Sequence, residues 1–196
     1  MINELGHDLR IEASRDEKSR QEFVAALRSH VLGDMAEHMR KRYHEQHGPA
    51  VGEPEAQTGP EVHEAMQADP YFRFYSAIRV NAQEMVFRSV MPLVDRELDE
   101  LNAKAAEICA AEQQEPQLKP DFNIPRSVSE IDVHLQPGSY HTEYADNDAA
   151  AGAIYDNSMN VFAFNQMGRH NDDIGHTMSN YIRLTYPEFK PEKILD

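Results

Sequence analysis

The densest run of side chains able to do chemistry is DVHLQPGSYHTEYADND, which places His134, Tyr140, His141, Glu143 and Tyr144 around a Pro137-Gly138 turn. In extended backbone alternate side chains share a face, so His141 and Glu143 would project together and could share a metal or a proton. With His134 they make three ligands of the kind that hold a catalytic zinc with one position open. That set defines one reading, a metal-dependent helical hydrolase using His134, His141 and Glu143. No HExxH pair accompanies it, and the expectation is a hydrogen-bonding, ligand-facing surface with no resident metal.

A second polar cluster, MGRHNDDIGH, holds Arg169, His170, Asn171, Asp172, Asp173 and His176. Asp172 or Asp173 suits the N-terminus of a following helix, and His176 lies one turn from Asp172, where the two can pair. Arg169 is the member expected to meet a ligand, because a guanidinium binds a carboxylate through two parallel hydrogen bonds. Cys109, the single cysteine, sits in AEICAAE and is expected to be a small packing residue; nothing beside it in sequence would activate a thiol. His44 and His47 flank Glu45 at what reads as a solvated helix end. The chain has no Gly-x-Ser-x-Gly elbow, no phosphate-cradling GxxxxGK[ST], no Cys-x-x-Cys and no complete Gly-x-Gly-x-x-Gly.

The elements that must position these residues are mostly helical. Residues 16–47 read as one long helix with Ser14 as its cap and an apolar stripe of Phe23, Leu27, Val31, Met35 and Met39; Arg40, Lys41 and Arg42 suit its negative end. The proline- and glycine-rich stretch HGPAVGEPEAQTGPE breaks the pattern into a loop. A short helix is expected over 61–68, and Pro70 opens another that runs to about residue 112, as two helices or one kinked at Pro92. The aromatic group Tyr71, Phe72, Phe74 and Tyr75 is expected to make core or helix-helix contacts. EQQEPQLKPDFNIPRSVSE reads as a linker, Ile131, Val133 and Leu135 alternate with polar residues as a short strand, and two further helices follow, one capped by Asp146 and one running from about Asp172 to Tyr186. The expected organisation is a helical region over 1–112, a linker over 113–130, a segment with two helices over 131–190, and a last stretch over 191–196.

Composition narrows the function classes. Nineteen basic against thirty-four acidic residues give a formal charge of -15, which opposes nucleic acid and anionic membranes because both associations depend on attraction to phosphate. A lone cysteine excludes an intrachain disulfide and points to a reducing, cytoplasmic setting. The charged N-terminus MINELGHDLRIEASRDEKSR does not read as a secretory signal.

The final stretch, NDDIGHTMSNYIRLTYPEFKPEKILD, resembles the approach to the first strand of class I S-adenosylmethionine-dependent methyltransferases: a helix, a proline-bearing loop, then Lys193, Ile194, Leu195 and the acidic Asp196. The stretches YSAIRVNAQEMVFRSVMP and IDVHLQPGSYHTEYADNDAAAGAIYD look like the N-terminal region of a bacterial branch of that family, so the resemblance covers about residues 70–196. It implies a mainly α chain with a short extended segment, ending at the first strand of an otherwise absent Rossmann-like α/β domain. It further implies S-adenosylmethionine as cofactor in the longer protein, a small-molecule acceptor, and a substrate-side role for these helices, with Tyr140, Arg169 and Asp196 toward the cofactor. If the acceptor needs a general base, His141 is the first candidate, with Glu143 or His134 as its orienting partner. The glycine-rich turn that should follow Asp196 is missing, so the isolated chain is expected to be inactive. A non-enzymatic helical module, dimeric through the helices between residues 16 and 111, is the alternative from another class, and a two-fold dimer is expected under either reading.

Overall fold

The computed structural model describes residues 9, 11–48, 58–111, 123, 125–129, 134–137, 143–145, 148–164, 166–168 and 172–193. Within them the chain is helical, with no β-strand among the described residues. Helix α1 (Arg15–His30) starts at a reciprocal cap: Ser14 Oγ accepts from the Glu17 amide at 3.3 Å, and Glu17 Oε2 accepts from the Ser14 amide at 2.7 Å. Two of the four amide donors orphaned at a helix start are thereby satisfied. The helical path continues through a π turn (Val31–Met35), α2 (Ala36–Arg42) and a second π turn (Tyr43–His47). The expected span of 16–47 is therefore one helical path, but it is wound to two different pitches.

Helix α3 (Gly59–Met66) opens on Thr58, whose amide donates to Glu61 Oε2 at 2.7 Å. Helix α4 (Pro70–Ala111) is a single element of 42 residues, about 63 Å long at 1.5 Å per residue. Pro92 sits inside it on the exposed side, where the carbonyl of Arg88 that loses its amide partner can be hydrated. A short turn of helix, α5 (Arg126–Ser129), precedes α6 (Ala150–Phe162) and α7 (Asp173–Thr185).

The core forms where α1, α4 and α6 pack together. Val24 and Ala25 of α1 meet Val86, Phe87, Val90, Leu93, Val94 and Leu101 of α4 and Ile154 and Val161 of α6. The α4 residues recur three and four apart, which keeps them on one face of the helix. Helix α1 presents a different face from the expected one. Its inward positions are Glu17, Val24, Ala25, Arg28 and Val31, whereas Phe23 is 60% exposed and Leu27, Met35 and Met39 are half-buried. Of the expected stripe, Val31 alone is fully buried.

Several local expectations also shift. Cys109 is exposed on α4 and not a packed residue. Among the aromatics Tyr75 is buried, Tyr71 and Phe72 lie edge-on against His38 and His63, and Phe74 points outward. The expected strand over 131–135 is described at its last two residues, where His134 lies in a turn and Leu135 adopts a left-handed φ of 61°; Ile131 and Val133 lie outside the described residues. The start of α6 is held by Asp148, whose carboxylate accepts from the amides of Tyr144, Ala145 and Ala150 at 2.5, 2.8 and 3.0 Å; Asp146 lies outside the described residues. Helix α7 starts at Asp173 with Asp172 at its N-cap position, where the Asp172 side chain caps no backbone amide and lies 2.9 Å from His176 Nε2. No residue of α7 is buried, so the Ile174, Met178, Tyr181 and Leu184 side chains are exposed.

Candidate functional site

Of the residues singled out for chemistry, the structure places His134 and Glu143; Tyr140, His141, Arg169 and Asp196 lie outside the described residues. His134 stands on the turn before α6. Its backbone carbonyl accepts from Gln83 Nε2 at 2.9 Å, and its ring lies edge-on to Phe162 with centroids 6.3 Å apart. It lines a recess of about 470 Å³ together with Ala151, Gly152 and Tyr155. Gly152 leaves this wall open, since nothing stands within 4 Å of where a Cβ would be. Glu143 is exposed in the loop before Asp148. Beside it, burial and the negative charges of Asp95 and Asp148 push the Tyr144 phenol above its ordinary pKa, so it remains a neutral hydrogen-bond donor. Among the described residues no three His, Cys, Asp or Glu side chains gather as metal ligands.

Behind His134 lies a constellation that the sequence did not disclose. Gln83 of α4 bridges two elements: Nε2 donates to His134 while Oε1 accepts from Arg28 Nη1 at 2.6 Å. The amide is thereby fixed in one orientation, because flipping it would set NH₂ against a guanidinium and oxygen against a carbonyl. Arg28 is only 8% exposed. Its guanidinium carbon sits 4.6 Å from the Phe162 ring centroid and 6.0 Å from that of Phe164, a cation–π arrangement that offsets part of the desolvation. No carboxylate among the described residues pairs with it, and Nε is buried without a hydrogen-bond partner. Burial, and then the positive charge of Arg79, pull the Arg28 pKa below the usual guanidinium value. A buried cation flanked by a second cation is an expensive arrangement in a chain with thirty-four acidic residues available to neutralise it. The π turn Val31–Met35 follows Arg28 by one turn, and such widened turns recur at functional sites.

Arg28 escaped detection because pattern reading assigns arginine to the surface. The usable signal was register: Glu17, Gln21, Val24, Arg28 and Val31 alternate four and three apart, the spacing of a single helix face.

The second constellation ties the end of the first helical path to the start of α4. Asp69 is almost wholly buried and takes Arg42 Nη2 at 2.7 Å, His47 Nε2 at 3.0 Å, and the amides of Tyr71 and Phe72 at 2.7 and 3.2 Å. The Arg42 hydrogen bond, aided by His47 and the two amides and opposed by burial, holds this carboxyl well below the usual carboxylate range. His47 is thus part of an inter-helix tie and not of a solvated helix end. All lone pairs of Asp69 are engaged with the protein, so its role is to fix α2 against α4.

The described residues include no strand and no glycine-rich turn. They do make a recess of small-molecule size with His134 on its wall, and Gln83 ties the His134 carbonyl to the buried Arg28. No family model, no curated protein and no solved structure matches this chain.

Proposed function

We propose that the chain is the helical, substrate-side part of an S-adenosylmethionine-dependent methyltransferase and that the recess beside His134 receives the methyl acceptor. The observation that carries this reading is the recess itself. Its volume of about 470 Å³ falls in the range of small-molecule sites, and the Gln83 side chain donates to the backbone carbonyl of the histidine on its wall. The exposed apolar side chains of α7, directly ahead of Lys193, add support, because a packed α/β domain of Rossmann-like type beginning near Ile194 would cover them. S-adenosylmethionine supplies the methyl group in this reading. The part of the chain is to hold the acceptor, exclude water and present a proton acceptor, for which His141 is the first candidate with His134 or Glu143 orienting it. This reading assigns Tyr140, Arg169 and Asp196 to the cofactor side, as the resemblance implies, and sets the protein in the cytoplasm.

The coding sequence beyond the Asp196 codon tests the reading. A glycine-rich turn immediately after Asp196 supports it, and a stop codon there overturns it.

A second reading, a non-enzymatic helical module that pairs with its own copy, is favoured by the same α7 face and by Phe23 and Phe74, all of which are exposed apolar side chains. Within one chain α1 and α4 cover each other, so a dimer through residues 16–111 would use their outer faces.

A further inference from the structure

We propose that the recess beside His134 takes an uncharged, flat aromatic body, so that the methyl acceptor is a neutral aromatic compound. The inference rests on the proposed function for the ligand's role as acceptor, whereas the preference for a neutral aromatic ring rests on the walls of the recess themselves.

The walls are few and chemically uniform. His134 and Tyr155 contribute rings, and Ala151 and Gly152 contribute little beyond the backbone of α6. Among the described residues no Asp, Glu, Lys or Arg lines the space. A ligand charge lodged there would give up water and gain no counter-ion, which disfavours either sign. The buried Arg28 guanidinium does not supply one, because it is engaged by Gln83 and Phe162 and is not one of the walls. The floor and the rings then set the shape. Nothing stands within 4 Å of where a Cβ of Gly152 would be, so a flat body can lie close to the helix backbone. Tyr155 follows Ala151 by four residues and shares its face of α6; it is 47% exposed, which leaves part of its ring for a ligand. The His134 ring is steadied edge-on by Phe162, and its carbonyl is tied to Gln83. Aromatic pairs gain more than their buried area when they meet offset or edge-to-face, whereas a saturated ring gains from area alone. A volume of about 470 Å³ lies in the lower half of the range for small-molecule sites and suits a body of one or two rings.

The test is calorimetric titration of the 196-residue chain with four probes of similar size: 2-naphthalenemethanol, its saturated counterpart decahydro-2-naphthalenemethanol, the anion 2-naphthoate and the cation 2-naphthylmethylammonium. The naphthyl alcohol is expected to bind saturably, and each charged probe at least about tenfold more weakly, because its charge meets no partner in the recess. The saturated alcohol is expected to bind about two- to tenfold more weakly, the margin that aromatic pairing adds to area. Gly152→Phe fills the recess and is expected to abolish binding of the naphthyl alcohol while the helical circular dichroism stays unchanged. Tyr155→Leu keeps an apolar wall without its ring and is expected to narrow the preference for the aromatic over the saturated alcohol. Should Gly152→Phe fail to fold, Tyr155→Leu decides. Absence of binding by the naphthyl alcohol, either charged probe or the saturated alcohol bound as tightly, undiminished binding by Gly152→Phe, or an unchanged preference in Tyr155→Leu overturns the proposal. The transferase reading is judged separately by the coding sequence past Asp196. Selective binding of the naphthyl alcohol together with a stop codon there would leave the aromatic site standing and remove the transferase; a glycine-rich turn together with unselective binding would do the reverse.

Discussion

Replacing Phe87 by alanine removes a side chain with no exposed surface, packed edge-on against Phe162 with ring centroids 5.4 Å apart, at the junction of α1, α4 and α6. Deleting a buried phenyl group costs about 3–5 kcal/mol once the residual cavity is included, of which the aromatic pair accounts for about 0.5–1.5 kcal/mol. For a chain of this size each kcal/mol lowers the melting temperature by about 2–4 °C, so the fall should be about 6–20 °C. The control is on the same helix and of the same residue type: Phe74 is 57% exposed, and Phe74→Ala should stay within about 0.5 kcal/mol of the parent. Thermal and urea melts followed by circular dichroism at 222 nm give both values. If the two substitutions cost the same, or if Phe74→Ala costs more, then α4 is rotated relative to its partners and the packing described here is wrong. The consequence would reach the site, since Phe162 packs against both Phe87 and the Arg28 guanidinium.

Two further outcomes follow from the same geometry. The folded-state pKa of Asp69 is depressed, so its stabilising contribution is fully present above the unfolded carboxylate range and is lost as pH falls toward the folded value; urea midpoints of the parent and Asp69→Asn chains should therefore be well separated at neutral pH and converge on acidification below about pH 4, and a gap that stays constant with pH would refute the tie between Asp69, Arg42 and His47. Met178→Glu puts a charge in the middle of the exposed apolar face of α7, so if a second copy covers that face, light scattering should show the parent near twice 22.4 kDa and the variant at 22.4 kDa; a parent already at the lower mass removes the dimer, and a variant that stays dimeric moves the interface away from α7.

Much of the helical framework was legible in the sequence, because it is written in local chemistry. Ser14 with Glu17 and Thr58 with Glu61 mark helix starts through an amide donor that needs an acceptor, and Asp69 before Pro70 does the same for the amides of Tyr71 and Phe72. The face of α1 was not legible. Phe23, Leu27, Val31, Met35 and Met39 are each four apart, and that spacing drifts by about 40° per step on a helix of 3.6 residues per turn. Such a row spirals away from any flat neighbour. The alternating four-three spacing from Glu17 to Val31 holds its direction, but three of its five members are polar, and polarity hid it. The Asp69 cluster escaped for a different reason: Arg42, His47 and Asp69 are joined across a loop, and no local pattern reports a contact made by tertiary packing. Of the candidate site, His134 was found from its type and neighbourhood, while Arg28 of α1 and Gln83 of α4 meet only in the fold.

The measurement that bears most directly on the proposed function is transfer of labelled methyl from S-adenosylmethionine by the gene product that includes the residues after Asp196, made with Gly152 intact and as Gly152→Phe. Open space stands where the Cβ of residue 152 would lie, so the phenyl ring enters the recess beside His134 without straining the helix. The account predicts methyl transfer by the parent, and in the variant a fall of about 100-fold with cofactor binding retained, since displacing an acceptor from its reacting position costs about that much. A parent that neither binds the cofactor nor transfers the label, or a variant that transfers it undiminished, contradicts the assignment of this recess.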